Sequence, residues 1–400
     1  MLHGILNTLI GAFSFVLVLG LVVFIHELGH YSVARFFKVA VERFSVGFGK
    51  PIAQWKAKSG TLWSIGRIPL GGYVKFMGDA GAASNPDLAR LEQIKQNMDK
   101  EQGADAWKSC LHFKPLYQRV LVVAAGPIAN FVLAAFIFAM LAFTYGSNIL
   151  TAKIASVTPN SVAEKAGFLV GDEFVSINGK KRTHYRNVVQ TIVLSSGTPL
   201  TVIVNRDNQL QEIIVTPLRT EKTDGIGGKY YGGHIGVGFS NKNVVHKKYG
   251  IVEASQKGIG DVYDSLASTG LYIKRIFTGK EDGKALGSIA KIAAITGKVG
   301  SDAANVEGTI GFKTKVWFHD ILALAASLSV ALGFANLMPI PVLDGGHLLY
   351  YGYEAVMRRP LSEKVQEFGF KAGFAVLITL FLVLTWNDIG YVANLFGNKG

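Results

Sequence analysis

The chain is 400 residues long, 49% hydrophobic and only 17% charged, with a mean hydropathy of +0.30, a balance that excludes an ordinary soluble enzyme of this length. Its 11 prolines and 46 glycines follow no Gly-X-Y period, which excludes collagen, and its single cysteine, Cys110, excludes a disulfide scaffold and a cysteine-based zinc cluster. Lys and Arg number 41 against 28 Asp and Glu, and the resulting net charge of +13 is read as cytoplasmic loops and lipid headgroup contact rather than as nucleic-acid binding.

Ile5 to Ile25 is an uncharged apolar run of spanning length, since roughly 20 residues cross the hydrocarbon layer. No lysine or arginine precedes the run and no small-residue cleavage site ends it, so a retained span is expected rather than a signal peptide. It passes directly into His26-Glu27-Leu28-Gly29-His30, and Leu21 to Phe37 reads as one helix. Two imidazoles one turn apart can both reach one zinc ion at about 2.0 to 2.1 Å, with Glu27 between them placed as a general base. The competing reading is a His/Glu/His set snorkelling to headgroups. Val33, Ala34, Phe36 and Phe37 follow, however, which places the ionisable groups at or inside the lipid boundary, where such groups are functional by default.

The loop from Arg35 to Arg119 is basic in its first part, with Glu42 the one acid there, and is assigned to the cytoplasm. Within it Thr61 to Phe76 alternates apolar and polar residues around Pro69 and Gly71-Gly72, as a hairpin does. An edge strand here could pair with an unwound substrate, giving Ile65, Gly71, Gly72 and Val74 as candidate substrate contacts; a plain cytosolic hairpin is the alternative. A second span is expected from Val120 to about Thr144.

Thr151 to about Lys315 has soluble-domain character. Pro159-Asn160-Ser161-Val162-Ala163 and Gly171-Asp172-Glu173-Phe174-Val175-Ser176-Ile177-Asn178-Gly179 read as a short helix entry and a strand pair with an Asn-Gly turn. The stretch from Thr151 to Pro217, extending toward Phe239, resembles a PDZ domain, a fold that commonly captures chain ends; a passive β domain is the alternative. Ile259, Val262, Leu266, Ile273, Ile276 and Phe277 recur at helical spacing, giving an amphipathic helix packed on that domain or lying on the outer leaflet.

A third span is expected from Ile321 to about Leu337, followed by Asn336-Leu337-Met338-Pro339-Ile340-Pro341-Val342-Leu343-Asp344-Gly345-Gly346-His347. Both this span and the first run inward, so Asp344 arrives at the depth of the histidine pair as a candidate third ligand, with His347 its rival and helix N-capping its alternative role. Asn336, Pro339 and Pro341 are candidate substrate contacts, Asn336 for the substrate backbone or the developing oxyanion. Arg358, Arg359 and Lys364 mark a second cytoplasmic connection, and a weaker fourth span, Phe368 to Trp386, reaches length only if Lys371 snorkels.

The HExxH on the first span, the Asn-x-x-Pro-x-Pro-x-Leu-Asp-Gly on a later one and the PDZ-like unit together resemble the site-2 protease family of intramembrane zinc metalloproteases, within it the bacterial regulator of sigma-E protease group. Gly47-Phe48-Gly49-Lys50, Ile68 to Lys75 and Ala125-Gly126-Pro127-Ile128-Ala129-Asn130-Phe131 also match. The resemblance implies that His26, His30 and Asp344 bind zinc, that Glu27 is the catalytic base, and that the Thr61 to Phe76 element dips into the membrane. It further implies substrates that are single-span proteins already cut on the outer side, such as an anti-sigma factor, and remnant signal peptides. Some members of the group carry tandem PDZ domains, whereas this chain shows one.

The expected architecture is a polytopic α-helical membrane protein of four transmembrane helices with a membrane-dipping β-hairpin and an inserted extracytoplasmic PDZ-like α+β domain. The expected divisions are residues 1–150, 151–240, 241–318 and 319–400. The expected location is the bacterial cytoplasmic membrane, with both termini outside, the site near the cytoplasmic side, and membrane lipids as partners. A silent scaffold and a metal transporter are the alternatives. The base beside a full ligand set argues against the first, and the absence of a repeat against the second.

Overall fold

The computed structural model describes residues 2–79, 106–223, 229–240, 244–281, 283 and 286–397. Part of the basic loop, 80–105, and the expected division at 240/241 fall wholly or partly outside them. The chain divides into two compact units, one of residues 1–138 and 293–382, the other of 139–292 and 383–400.

In chain order the elements begin with α1 (Leu2–Phe36), β1 (Val41–Lys56), β2 (Leu62–Phe76) and α2 (Leu116–Tyr145). Next come β3 (Ser147–Leu150), β4 (Ile154–Val157), α3 (Val162–Ala166), β5 (Glu173–Ile177), β6 (Lys180–Lys181) and α4 (Tyr185–Val193). They continue with β7 (Leu200–Arg206), β8 (Gln209–Val215), β9 (Leu218–Thr223), β10 (Lys229–His234), β11 (Val237–Phe239) and β12 (Val244–Lys247). The chain closes with α5 (Ile251–Phe277), α6 (Ile289–Asn305), α7 (Ile310–Asn336), α8 (Asp344–Met357) and α9 (Glu363–Gly397).

Among the described residues four helices are long and apolar enough to cross a membrane, over Leu9–Phe36, Leu116–Tyr145, Ile310–Asn336 and Lys364–Asp388. At about 1.5 Å per residue each exceeds the roughly 30 Å hydrocarbon layer, which leaves a turn or more of helix for other purposes. Helix is the form such segments must take, because lipid offers no partner to a free N–H or C=O. α1, α2 and α7 pack through small residues. A Cβ on Gly29 would strike the Ala125 carbonyl, and one on Gly333 would strike Phe131 and the Pro127 carbonyl. Close backbone approach of this kind supplies the van der Waals contact that drives association in lipid. Ser329 Oγ donates to the Asn130 carbonyl at 2.8 Å, and Trp317 Nε1 donates to Ser14 Oγ at 3.0 Å, tying α7 to α2 and α1. The fourth span is different in kind, with only 6% of its apolar window buried. It begins at Lys364, ahead of the expected Phe368, and Lys371 lies in its first turns beside Glu367 at 2.7 Å.

Where a hairpin was expected, β1 and β2 fold over on themselves into a four-stranded mixed arrangement, with segments 43–46 and 62–65 parallel at its centre and an antiparallel segment on either side. Phe44 pairs with both Val74 and Trp63, and Ile65 pairs with both Val46 and Ala53, so the order runs 51–56, 62–66, 43–46, 72–76. Glycines in the left-handed region at Gly47 and Gly49 (φ +86° and +85°) bend β1 at its middle. The face toward α1 is apolar: Phe44, fully buried, stacks on Trp63 at 4.2 Å and meets Phe24 and Tyr31 edge-on. Val41, Val74 and Phe76 complete that core with Ala34, Leu111 and Val122.

The second unit is an α+β structure around a four-stranded antiparallel sheet of order β6-β5-β7-β8. Three two-stranded ribbons, β3/β12, β4/β11 and β9/β10, accompany it. Asn178 and Gly179 both take positive φ (50° and 74°) at the β5–β6 turn, the geometry an Asn-Gly pair favours. Ser161 caps α3 by accepting from Glu164 N, and Gly167 (φ +91°) closes it. Phe168, Phe174, Ile177, Val202 and Val204 fill the core. α5 buries Ala254, Gly258 and Val262 and anchors its last turn through Arg275, which pairs with Glu281 at 3.1 Å and donates to Ser196. Ile259 and Phe277, two residues of the apolar stripe read from sequence, are exposed.

Candidate metal centre

α1 runs unbroken through Phe36, so His26 and His30 project from one face with their rings 4.8 Å apart and nearly perpendicular. Their Nε2 atoms are 3.3 Å apart. Asp344 Oδ2 lies 3.3 Å from His26 Nε2 and 3.5 Å from His30 Nε2. Three donors about 2.0 to 2.2 Å from a tetrahedral centre stand roughly 3.3 to 3.6 Å from one another, so the triangle has the size of one face of a zinc site. Asp344 Oδ2 is also buried and accepts no hydrogen bond. A buried, orphaned carboxylate oxygen facing two imidazole nitrogens is the donor set a divalent cation would satisfy. Among the described residues this is the one group of three or more His, Cys, Asp or Glu close enough to hold a metal.

Each part of the triangle has a local cause. Between α7 and α8 the prolines at 339 and 341 interrupt the helix, and α8 begins at Asp344 with Leu343 in the N-cap position. Asp344 therefore stands one residue inside the helix, and its carboxylate faces the imidazoles instead of capping the backbone. Gly345 and Gly346 permit this turn, since side chains there would overlap the Leu337, Met338 and Ile340 carbonyls. Gly126 of α2 lies against the His30 and His26 rings and leaves no room for a Cβ. The outer ring nitrogens are held as well: His30 Nδ1 donates to the Val122 carbonyl at 2.9 Å, and the Asn130 side-chain amide sits 3.2 Å from His26 Nδ1. The carbonyl behind His30 fixes its tautomer and leaves that Nε2 for a metal, and the Asn130 amide fixes the orientation of the His26 ring.

Glu27 is buried beside the pair. The edge strand 72–76 runs against it: a Cβ on Gly72 would lie 3.1 Å from Glu27 Cγ. The Asn336 amide is 3.3 Å from His26 Nε2. His26, Glu27, His30, Tyr73, Asn336 and Asp344 share the wall of an open cleft with about 120 Å³ of space for water.

The other candidates are distributed unevenly. Gly72 and Val74 line the cleft, although the Val74 side chain is turned into the core. Ile65 lies on an inner strand, Gly71 against the Phe48 ring at the bend, and Pro341 against Gly373 of α9. These three and the exposed Pro339 stand outside the cleft wall, because the chain doubles back at 66–72 and the two prolines serve the turn into α8. His347 lines the cleft without joining the three-atom set, its ring beside Tyr350. Sequence reasoning passed over Asn130, Val122, Gly126 and Tyr73 as site residues. Asn130 could have been found one helical turn after Gly126, on the face that meets α1.

Comparison with known proteins agrees with this geometry. The sequence pattern of peptidase family M50 matches residues 14–380. A protein of Rhizobium meliloti named as a zinc metalloprotease is 38% identical over 381 residues, 95% of this chain and 96% of the relative. Metalloprotease MmpA of Caulobacter vibrioides is 36% identical over 382 residues, 94% of each chain. A protein of Agrobacterium fabrum, also named as a zinc metalloprotease, is 38% identical over 379 residues, again 94% of each.

Proposed function

The chain belongs to peptidase family M50, and from that membership together with the cleft we propose that it hydrolyses peptide bonds inside the transmembrane segments of single-span membrane proteins. It is a membrane-bound zinc metalloprotease, as its family, its relatives and its four spanning helices establish. The observation that carries the finer reading is the 3.3–3.5 Å triangle of His26, His30 and Asp344 with Glu27 beside it, on helices that otherwise face lipid.

His26, His30 and Asp344 would hold the ion, whose Lewis acidity polarises the reacting groups when it is bound. Glu27 takes the proton from the attacking water and returns it to the leaving amine. Asn336, with an amide 3.3 Å from His26 Nε2, is placed to donate to the developing oxyanion. A helical substrate hides its carbonyls in its own hydrogen bonds, so it must enter extended. Among the described residues strand 72–76 is paired on its 41–46 side alone within its sheet, and its other edge would serve that purpose. The substrates in this reading are single-span proteins first shortened outside the membrane, of the anti-sigma-factor kind, and remnant signal peptides. The α+β unit acts as a PDZ-like domain on the extracytoplasmic side, and the cleft opens near the cytoplasmic face of the inner membrane.

Full-length protein reconstituted with zinc and a single-span substrate tests this. Cleavage within the span that is lost on chelation, and absent in a zinc-loaded Glu27→Gln variant, is expected; cleavage by that loaded variant overturns the role of Glu27. In the same variant, a cysteine introduced at Tyr73 is expected to crosslink to substrate. Failure there removes strand pairing from the account.

A further inference from the structure

The second unit holds a surface that the proteolytic reading leaves unused. α2 ends at Tyr145, and β3 begins after one residue, Gly146, whose φ is +68°. β12 pairs antiparallel with β3 in the register Val244↔Leu150 to Lys247↔Ser147, so Lys247 stands opposite the first strand residue beyond the span. A Cβ on Gly146 would meet the Lys247 carbonyl at 2.6 Å and the His246 ring at 3.0 Å, so the glycine allows β12 to close on the end of the helix. Lys248, Tyr249, Gly250 and the first turn of α5 follow directly. They are therefore pinned within a few residues of the point where the chain leaves the lipid.

The residues there are not those of a solvated corner. Ile251 and Val252 are 71% and 70% exposed, and Val244 and Val245 are exposed beside them. The Lys247 ammonium sits over the Tyr249 ring at 4.9 Å. Lysines gather on the same side. An isolated bridge between Thr151 and His184 places His184 next to the end of β3, and its imidazole is held below its ordinary range by burial first and then by Lys257, Lys181 and Lys247. Two acids answer four lysines: Asp261 binds Lys257 at 2.8 Å, and Glu253 stands 3.7 Å from Lys247. Among the described residues Lys181 and Lys248, both exposed, pair with no acid.

Exposed aliphatic side chains, an aromatic ring and lysines that outnumber their acids, fixed at the mouth of a span, are the components of an interfacial lipid contact. We propose that the corner from Lys247 to Val252 docks on anionic phospholipid in the leaflet from which α2 emerges. Ile251 and Val252 enter the acyl boundary, and Lys247 and Lys248 meet the phosphates. A free anion would use the lysines but would leave the aliphatic pair without purpose, and continuity with the span favours the bilayer over a protein partner.

The test uses the full chain with Cys110→Ala and single spin labels at Ile251, Val252, Leu210 or Ile214, the last two being exposed positions on β8. Labelled protein is reconstituted into vesicles containing phosphatidylglycerol or only phosphatidylcholine, and collision with oxygen is compared with collision with a water-soluble nickel chelate. In phosphatidylglycerol, labels at 251 and 252 should favour oxygen while those at 210 and 214 favour nickel. Reversing Lys247 and Lys248 to Glu should lower the lipid-immersed population of the Val252 label by about tenfold in those vesicles and much less in phosphatidylcholine. Nickel access at 251 and 252 equal to that at 210 and 214 overturns the proposal. So does exclusion of both reagents, which would mean burial against protein. Immersion unchanged by lysine reversal overturns the anionic part. Retained cleavage of the reporter substrate shows that each variant is folded.

Discussion

The membrane core and the α+β unit solve the burial problem in opposite ways. In the α+β unit large apolar side chains such as Phe168 and Phe174 turn inward, with polar groups at the turns and helix ends. In the membrane core large apolar residues such as Phe13, Val132 and Phe136 face outward, while Gly29, Gly126, Asn130 and Ser329 lie inside. Lipid is as apolar as leucine, so packing there turns on close fit and hydrogen bonds. The reactive groups belong entirely to the membrane core: residues 26–30, 72–74 and 336–344 all lie in that unit. Chemistry and the stability of the second unit should therefore respond to different substitutions.

The sharpest separation comes from the ligands. Asp344→Ala is expected to weaken zinc binding at least 100-fold and reduce cleavage to background, while the α+β unit keeps its resistance to limited proteolysis. Zinc retained at wild-type affinity would break the comparison at its centre. Next, Gly126→Val should displace the His30 ring without removing any ligand, lowering zinc content and activity together in a chain that remains helical; circular dichroism and zinc stoichiometry read this out.

Phe174→Ala tests the other side. Truncating this fully buried ring should destabilise the α+β unit by about 3 to 5 kcal/mol, seen as faster hydrogen exchange over β5, β7 and β8, with zinc stoichiometry untouched. The smallest effect concerns pH. Burial opposes ionisation of Asp172, but hydrogen bonds from Arg206, at 2.7 Å, and from Leu169 N outweigh it, and the carboxyl is held below its ordinary range. A lowered folded pKa stabilises fully above the unfolded value of roughly 4 and loses that contribution as pH falls through the folded one. Protection of the α+β unit should therefore decline below about pH 4. The decline should be shallower in Arg206→Gln, which lacks the interaction to lose.

Sequence patterns were most legible where one local period carried the information. His26 and His30 needed only an unbroken helix, and Asn178-Gly179 only a two-residue turn. Elements whose evidence lay in distant partners were harder. α6 went unread because Gly297 and Gly300 lower the helix propensity of its middle; it forms against α1, where Gly11 and Gly297 bring the two backbones together. α7 begins at Ile310, well before the expected Ile321, since Lys313, Lys315, His319 and Asp320 hide its first turns from a hydropathy reading. Likewise a 2-residue alternation from Thr61 to Phe76 fits a hairpin and a doubled sheet equally; the pairing of Phe44 on both sides selects the sheet.

Composition and period by themselves determined that the chain lives in lipid, which helix carries the imidazole pair and which later segment supplies a carboxylate, because hydropathy and the 3.6-residue turn act over a few neighbours. They left Asp344 and His347 in competition, and said nothing of Val122 or Asn130 behind the rings. Those choices depend on where α2, α7 and α8 come to rest against α1, set by glycine contacts and a proline-broken turn between residues as much as 310 positions apart and more. Only the folded chain brings such groups within 3.5 Å, since through-space distance, unlike local period, is written in no single stretch of sequence.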